Sequence, residues 1–156
     1  MSSFLALPFV LSPPLSDRGA IIDALYRGIL GLDTNDLALF NSAFPNDARL
    51  EFNGRAMDGV SVIRSDCFDH IYKLETTHSI TNVRINISDD GSKASVSASA
   101  LAQHYRAGTG KEGNAARLLT GAQYRLDLLK TIIPRCGRSK FSKGCILKWK
   151  ETELWS

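Results

Sequence analysis

The segment KASVSASALAQHYR, residues 93–106, decides the fold class, because polar and small apolar residues alternate along its whole length. Alternation of period two places every second side chain on the same face of a β-strand. One face of this strand is mostly alanine, including Ala100 and Ala102, and the row ends at His104. Small side chains leave space beside them, so we expect this face to line a substrate cavity into which His104 points.

Three further segments are predicted to be strands of the same sheet. ITNVRINIS (residues 80–88) and AQYRLDLLK (122–130) also alternate, and the second of them turns Tyr124 inward. CILKWKETELW (145–155) is the last strand and places Trp149 on its apolar face. Because these strands follow one another in the chain, we expect an antiparallel sheet in the second half of the sequence.

Helical patterns fill most of the first half of the chain, with one short strand among them. Ser16 is predicted to cap a first helix that ends at Gly31. Asp33 or Thr34 is predicted to cap a second helix, and Asp58 to open a third. The apolar stripe of the third helix is Val60, Ile63, Cys67, Ile71 and Leu74. Helices followed by strands predict an α+β fold, with about three helices on one side of a curved antiparallel sheet.

The length and composition of the chain predict one globular domain, which spans residues 1–156. The chain has a mass of 17.1 kDa, with 44% hydrophobic and 22% charged residues. No stretch approaches the ~20 apolar residues of a membrane span. Residues 1–15 have no basic region before their apolar run, so we expect an N-terminal arm and not a cleaved signal. Three scattered cysteines (Cys67, Cys136 and Cys145) indicate reduced thiols and a cytoplasmic protein without a zinc site.

The basic character of the protein is concentrated in one segment. Residues 130–150 contain seven basic residues and no acidic residue, so the rest of the chain carries a net charge of −4. A nucleic-acid surface is one interpretation of this segment. We favour the interpretation that residues 131–144 form a solvated basic loop, because no aromatic platform or recognition helix accompanies the charges. We therefore do not expect a nucleic-acid partner.

A glycine motif, GxGxxG at Gly108, Gly110 and Gly113, resembles a dinucleotide-binding fingerprint only superficially. That fingerprint requires a strand before it and a helix after it, within a parallel βαβ unit. Both flanks here have the alternation of antiparallel strands. We therefore expect a hairpin loop, which could serve as a flap over the mouth of a cavity.

The histidines carry the functional prediction. His78, in ETTHSITN (residues 75–82), lies where the helical pattern gives way to the strand pattern. Histidine exchanges protons near neutral pH, so two imidazoles facing one apolar space suit general acid–base catalysis. The alternative is that both are hydrogen-bonded core residues. His70 has Asp66 one turn earlier, which favours an ordinary pair on a helix surface.

Five segments are most informative when they are taken together: GLDTND (31–36), TTHSITN (76–82), LAQHYR (101–106), GAQYRLDLL (121–129) and LKWKETELW (147–155). Their order and content resemble the SnoaL-like branch of the NTF2-like superfamily, in particular scytalone dehydratase and bile-acid dehydratase. The resemblance covers roughly residues 15–155. It implies a cone-shaped fold, in which a bent sheet wrapped by helices surrounds a single pocket.

The resemblance also implies roles for individual residues. His78 and His104 match the two catalytic histidines of the dehydratases, and Asp33 matches an acidic position that would hold one histidine's tautomer. Tyr26 and Tyr124 would donate hydrogen bonds to substrate oxygens. The substrate-binding set that we predict is Tyr26, Tyr124, Ala100, Ala102 and Trp149.

The family resemblance implies a cofactor-free and metal-free lyase or isomerase of the dehydratase, isomerase or cyclase type. Its substrate would be a mid-sized apolar metabolite, polyketide-like or terpenoid-like, of secondary metabolism. The family also implies a homo-oligomer, either a dimer or a trimer, that does not associate with membranes. Many relatives have no catalytic activity, so a small-molecule-binding or assembly domain is the alternative.

Overall fold

The computed structural model describes residues 7, 11–52, 54–132, 139–140 and 146–151. From Thr131 onward, the description covers the backbone alone. The predicted N-terminal arm (1–15) and basic loop (131–144) therefore lie largely outside the described residues. The side chain of Trp149, together with Cys136 and Cys145, also lies outside them.

The elements follow the predicted order of helices and then strands. The helices are α1 (Asp17–Asp33), α2 (Leu37–Ala43), α3 (Val60–Ile63) and α4 (Asp69–Ile71), with a π-helical turn (Arg64–Phe68) that joins α3 to α4. The strands are β1 (Arg49–Phe52), β2 (Arg55–Asp58), β3 (Leu74–Ile87), β4 (Lys93–Arg106), β5 (Arg117–Leu129), β6 (Thr131–Ile132), β7 (Ser139–Lys140) and β8 (Ile146–Glu151). This arrangement of three helical regions and a sheet confirms the α+β prediction.

The main sheet has six strands in the order β2-β1-β8-β5-β4-β3. Strands β3, β4 and β5 form an antiparallel meander with a long, nearly continuous register. Strand β8 pairs antiparallel with β5 but parallel with β1, so the expectation of a purely antiparallel sheet fails at that one pair. Strands β6 and β7 form a separate two-stranded sheet within the basic segment.

The first two helices differ from their predicted boundaries. The hydroxyl of Ser16 caps α1 as predicted, accepting a hydrogen bond from the N–H of Gly19 at 3.1 Å. However, α1 continues through Gly31 to Asp33, and α2 is capped by Asp36, whose carboxylate accepts from Leu39 at 2.9 Å. The predictions that Gly31 ends α1 and that Asp33 or Thr34 caps α2 are therefore wrong.

Close packing explains the glycine in α1. A Cβ atom on Gly31 would lie 2.6–2.7 Å from the backbone of Phe40 in α2, which is closer than real Cβ contacts. Gly31 therefore lets the two helices touch, and it does not act as a helix terminator.

The third helical region is also shorter than predicted. Asp58 is the last residue of β2, and Gly59, with φ of 88°, precedes α3. Leu74, which we assigned to the helical stripe, begins β3. The β-branched residues Thr76 and Thr77 favour the strand conformation, so the change of period occurs earlier than the sequence pattern indicated.

The alternation of β4 is confirmed, and its apolar face forms one wall of the core. The core is the space between the helices and the inner face of the sheet, and its largest fully buried side chains are Ile21, Phe40, Leu50, Ile63 and Leu126. Between α1 and α2, this core leaves an apolar cavity with room for about one water molecule, lined in part by Gly28, Phe44 and Cys67. Burial raises the pKa of the Cys67 thiol to about 12.

The glycine-rich loop joins β4 to β5 as a hairpin connection, as predicted. Gly108 has φ of 80°, a conformation that favours glycine. The carboxylate of Glu75 accepts hydrogen bonds from the N–H groups of Gly108 (3.2 Å) and Gly110 (2.7 Å). The loop is thus attached to Glu75 near the start of β3, and its role as a flap stays a prediction.

Candidate active site

A buried polar cluster lies where the end of α1 meets β3. The imidazole Nδ1 of His78 lies 2.6 Å from Oδ1 of Asp33, and the backbone N–H of His78 donates to Oδ2 at 2.9 Å. The hydroxyl of Thr76 donates to Oδ1 at 2.7 Å. Only 4% of the His78 side chain and 13% of the Asp33 side chain are exposed. These contacts fix the position of His78 relative to the carboxylate.

Asp33 is the ionised partner of His78. Burial alone raises the pKa of its carboxyl, but the hydrogen bond and charge of His78 and the hydrogen bond from Thr76 together lower that pKa below its ordinary value. An ionised carboxylate can only accept hydrogen bonds, so Nδ1 of His78 carries the proton that the two share. In neutral His78 the lone pair then lies on Nε2, as a general base requires.

His104 lies beside His78 on the neighbouring strand. The two ring centres are 5.5 Å apart, and the ring planes are nearly perpendicular, at 87°. In the register of β3 and β4, His104 lies opposite Thr76, and Ala102 lies opposite His78. Burial and the charge of His78 lower the pKa of His104 below its ordinary value, although Asp33 acts in the opposite direction. The expected convergence of the two histidines is present, and His104 favours its neutral form.

The position of His78 corrects one expectation. We predicted a junction between a helix and a strand, but His78 is the fifth residue of β3. Its side chain is directed inward by the period of the strand, as Thr76 is, since the two are separated by one residue.

Thr76 is the residue of this cluster that sequence reasoning missed. It is 8% exposed, so it is buried together with the side chain of His78. Its spacing of two from His78 is a signal that could have found it, because that spacing places both side chains on one face of β3. The contact with Asp33 could not be read from the sequence, since 43 positions separate the two residues.

The inner face of the sheet becomes more exposed to solvent near His104. Ala100 and Ala102 are buried there, as the alternation predicted. Leu118 lies opposite His104 on β5, and it is 56% exposed. The inner face is therefore covered along the alanines and open beside His104, where an apolar side chain meets solvent.

The predicted tyrosines lie on other elements than the two histidines, Tyr26 on α1 and Tyr124 on β5. Tyr26 is 41% exposed on α1, seven residues before Asp33, and its role in substrate binding stays a prediction. Tyr124 points inward as predicted but packs in the core, opposite Ala98. The backbone of Trp149 pairs with Tyr124, and the binding roles of Tyr124 and Trp149 stay predictions.

The apolar cavity does not coincide with the histidines. It is lined by residues of α1, α2, β1, β5 and the π-helical turn, and neither histidine nor the alanine row contributes to its wall. This cavity is therefore a different space from the pocket predicted beside the histidines and the alanine row, which stays a prediction.

His70 and Asp66 have separate partners. His70 is exposed, and its Nδ1 lies 3.1 Å from the carbonyl oxygen of Ser65, whereas Asp66 forms an ion pair with Arg55. The predicted pair of His70 with Asp66 is therefore replaced by these two contacts. Among the described residues, no group of three or more His, Cys, Asp or Glu side chains could hold a metal ion. No helix in the described ranges is long and apolar enough to cross a membrane.

Comparison with known proteins gives a family and a relative. The SnoaL-like domain family matches residues 13–138. A protein of Penicillium crustosum named "Terrestric acid biosynthesis cluster protein E" is 50% identical over 125 residues, which are 80% of this chain and 80% of that protein.

Solved structures with low sequence identity share the fold. A hexachlorocyclohexane dehydrochlorinase from Novosphingobium barchaimii has a TM-score of 0.64 at 23% identity, over 88% of this chain and 89% of that one. A provisionally named scytalone dehydratase from Novosphingobium aromaticivorans has a TM-score of 0.63 at 18% identity, over 88% and 87%. At these identities the likeness shows the α+β fold alone. The family match, the relative and this fold agree, and the chain belongs to the SnoaL-like family of the NTF2-like superfamily.

Proposed function

We propose that the protein is a cofactor-free acid–base lyase or isomerase that acts on a mid-sized apolar metabolite of secondary metabolism. The observation that carries this proposal is the buried Asp33–His78 pair, in which Nδ1 is 2.6 Å from the carboxylate and Nε2 is left with its lone pair. A histidine held in this way is a general base of fixed tautomer.

The roles of the three residues follow from their charges. His78 takes a proton from a carbon of the substrate, and the negative charge of Asp33 stabilises the imidazolium that forms. In a dehydration, the carbon–hydrogen bond breaks to His78, and the carbon–oxygen bond breaks as a carbon–carbon double bond forms. The same proton then leaves with the hydroxyl group as water, so the protein returns to its starting state.

His104 has a different part in this proposal. Its lowered pKa favours the neutral imidazole, which donates and accepts hydrogen bonds but is a poor proton donor. It would orient the substrate oxygen next to the base. With 5.5 Å between the ring centres, one small functional group can lie within reach of both histidines.

The surroundings of the pair support an apolar substrate. Leu118 presents an apolar surface beside His104, and Ala102, opposite His78, adds little bulk. The relative from Penicillium crustosum, named for a terrestric acid biosynthesis cluster, supports a place in secondary metabolism for this chain.

A binding or assembly domain without catalysis is the second candidate. The observation that favours it is that the carboxylate of Asp33 accepts hydrogen bonds from both Thr76 and His78, so these polar groups satisfy one another within the fold. On this alternative, Asp33, Thr76 and His78 form a satisfied polar cluster of the core.

Complementation tests both candidates. A Penicillium crustosum strain that lacks the relative would receive either this chain or its His78→Gln variant, with protein levels matched by immunoblot and terrestric acid measured by mass spectrometry. We expect the unaltered chain to restore the product and His78→Gln to restore less than about a hundredth of it, as for the loss of a general base.

The matched control is His70→Gln, which changes an exposed histidine outside the cluster and should restore the product fully. Full restoration by His78→Gln would support the binding domain and contradict catalysis by His78. Failure of the unaltered chain would contradict a shared step with the relative.

A further inference from the structure

Strand β3 sends two neighbouring inward side chains to the same carboxylate. Thr76 and His78 are two residues apart, and both donate to Oδ1 of Asp33, at 2.7 and 2.6 Å. The backbone N–H of His78 binds the other oxygen, Oδ2. All three hydrogen bonds come from β3, so this strand fixes the rotation of the Asp33 carboxylate about its Cβ–Cγ bond.

The hydroxyl of Thr76 has a defined direction in this cluster. A hydroxyl group can donate one hydrogen bond and accept others, whereas an ionised carboxylate only accepts. The hydroxyl proton therefore points to Asp33. A buried hydroxyl without a partner destabilises the fold, so this bond is retained in the folded protein.

Without Thr76, the carboxylate would keep two bonds from His78 alone. The ring N–H would bind Oδ1 and the backbone N–H would bind Oδ2, so the second lone pair of Oδ1 would have no donor. The carboxylate could then rotate to bring Oδ1 toward another donor. Hydrogen bonds to charged groups are among the stronger ones in proteins, so the loss of this bond should change the geometry of the pair.

We propose that Thr76 is a positioning residue that orients the Asp33 carboxylate toward Nδ1 of His78 and so keeps the base lone pair on Nε2. This inference rests on the proposed function, in which His78 is the base. Thr76 acts through Asp33, and it is not itself a group that exchanges protons with the substrate.

A purely structural role for Thr76 makes different predictions. Threonine is common in strands, and its methyl group packs well on a pleated sheet. On that alternative, Thr76→Val would be harmless to His78, because valine has the same shape, and Thr76→Ser would be the more disruptive change. If Thr76 orients the carboxylate, the order is reversed.

The test uses nitrogen NMR of the whole protein with labelled histidine, without any substrate. In the unaltered protein we expect neutral His78 to give two well-separated ring resonances, one from a protonated Nδ1 and one from an unprotonated Nε2. Thr76→Val should move these resonances toward each other as the second tautomer becomes populated, and it should raise the pKa of Asp33, followed by carbon NMR. Thr76→Ser should keep the resonances of the unaltered protein.

Thr77→Val is the matched control, because Thr77 is exposed on the other face of the same strand. It should leave the His78 resonances unchanged. If Thr76→Val does not fold, Thr76→Ala removes the same hydroxyl group with less bulk.

The outcomes separate the two proposals. Unchanged His78 resonances in a folded variant without the hydroxyl overturn the positioning role, whatever happens to the melting temperature. Changed resonances together with full restoration of product by His78→Gln support the role of Thr76 and contradict catalysis by His78.

Discussion

At the scale of the residue, Asp33 is the centre of the candidate site. It ends α1, and through Thr76 and His78 it connects that helix to β3. A buried carboxylate is stable only when its charge is compensated. The same contacts that keep it ionised also direct His78, so the stability of the cluster and its chemistry have one origin.

Two alanines of β4 should respond differently to enlargement. Ala100 packs within the hydrophobic core, whereas Ala102 is buried next to His78 and outside that core cluster. We expect Ala100→Phe to lower the free energy of unfolding by about 1–3 kcal/mol through overpacking. Ala102→Phe should destabilise less but abolish complementation, because its ring would occupy the space beside His78.

Denaturation in urea, followed by circular dichroism, measures the first effect, and the complementation assay measures the second. Equal and large destabilisation by both changes would mean that Ala102 also faces filled core. Full activity of Ala102→Phe would mean that no substrate lies beside it.

The residues of the site were only partly predictable. The alternation of β4 identified the inward alanines and His104, because a period of two leaves one choice of face. The partnership of Asp33 with a histidine came from the family resemblance, since contacts between distant residues leave no local pattern. The role of Tyr26 stays a prediction, because a shared helical face does not give the distance between two side chains.

At the scale of the element, two glycines of α1 make a matched pair. Gly31 leaves no room for a Cβ against Phe40, whereas a Cβ on Gly28 would make ordinary contacts with Ala43 and Phe44 at 3.5–3.8 Å. We expect Gly31→Ala to lower the free energy of unfolding by about 1–3 kcal/mol, because α2 must move. Gly28→Ala should raise it by up to about 1 kcal/mol, since alanine is the better helix former.

Both variants can be compared by urea denaturation under the same conditions. A stabilised Gly31→Ala variant would show that α1 and α2 are not in close contact. The same pair shows why the helix boundary was mispredicted, because glycine in a sequence indicates either a helix end or a close approach, and only packing distinguishes the two.

The start of β3 was mispredicted for a related reason. The apolar spacing up to Leu74 fits a helix, but the strand begins there. Hydrogen bonds to β4, from the pair of Leu74 with Arg106 onward, decide the conformation, and they depend on a partner that local spacing does not reveal.

At the scale of the whole molecule, the site should make stability depend on pH. The pKa of His104 is lowered by folding, so the unfolded chain binds a proton more readily, and stability should fall as pH decreases from about 6.5. The pKa of Asp33 is also lowered, so its contribution is present above the ordinary value of 3.8 and is lost as pH falls through the folded value.

Free energies of unfolding measured across this range would check both signs. We expect His104→Gln to flatten the profile just below pH 6.5, and Asp33→Asn to flatten it below about pH 4. His70→Gln serves as the exposed control. If the stability of His104→Gln changes with pH in the same way as that of the unaltered protein, the lowered pKa of His104 is contradicted.

The position of β8 in the sheet matters while the chain is being made. It is the last strand of the described residues, yet it separates β1 from β5. Until the ribosome has released residues 146–151, β5 is an unpaired edge, and the hairpin of β1 and β2 has no strand to join. Exposed strand edges can pair with strands of other chains. Nascent chains on the same mRNA are therefore most prone to associate before β8 has been synthesised. A premature stop just before β8 should therefore produce aggregates and not a slightly smaller protein.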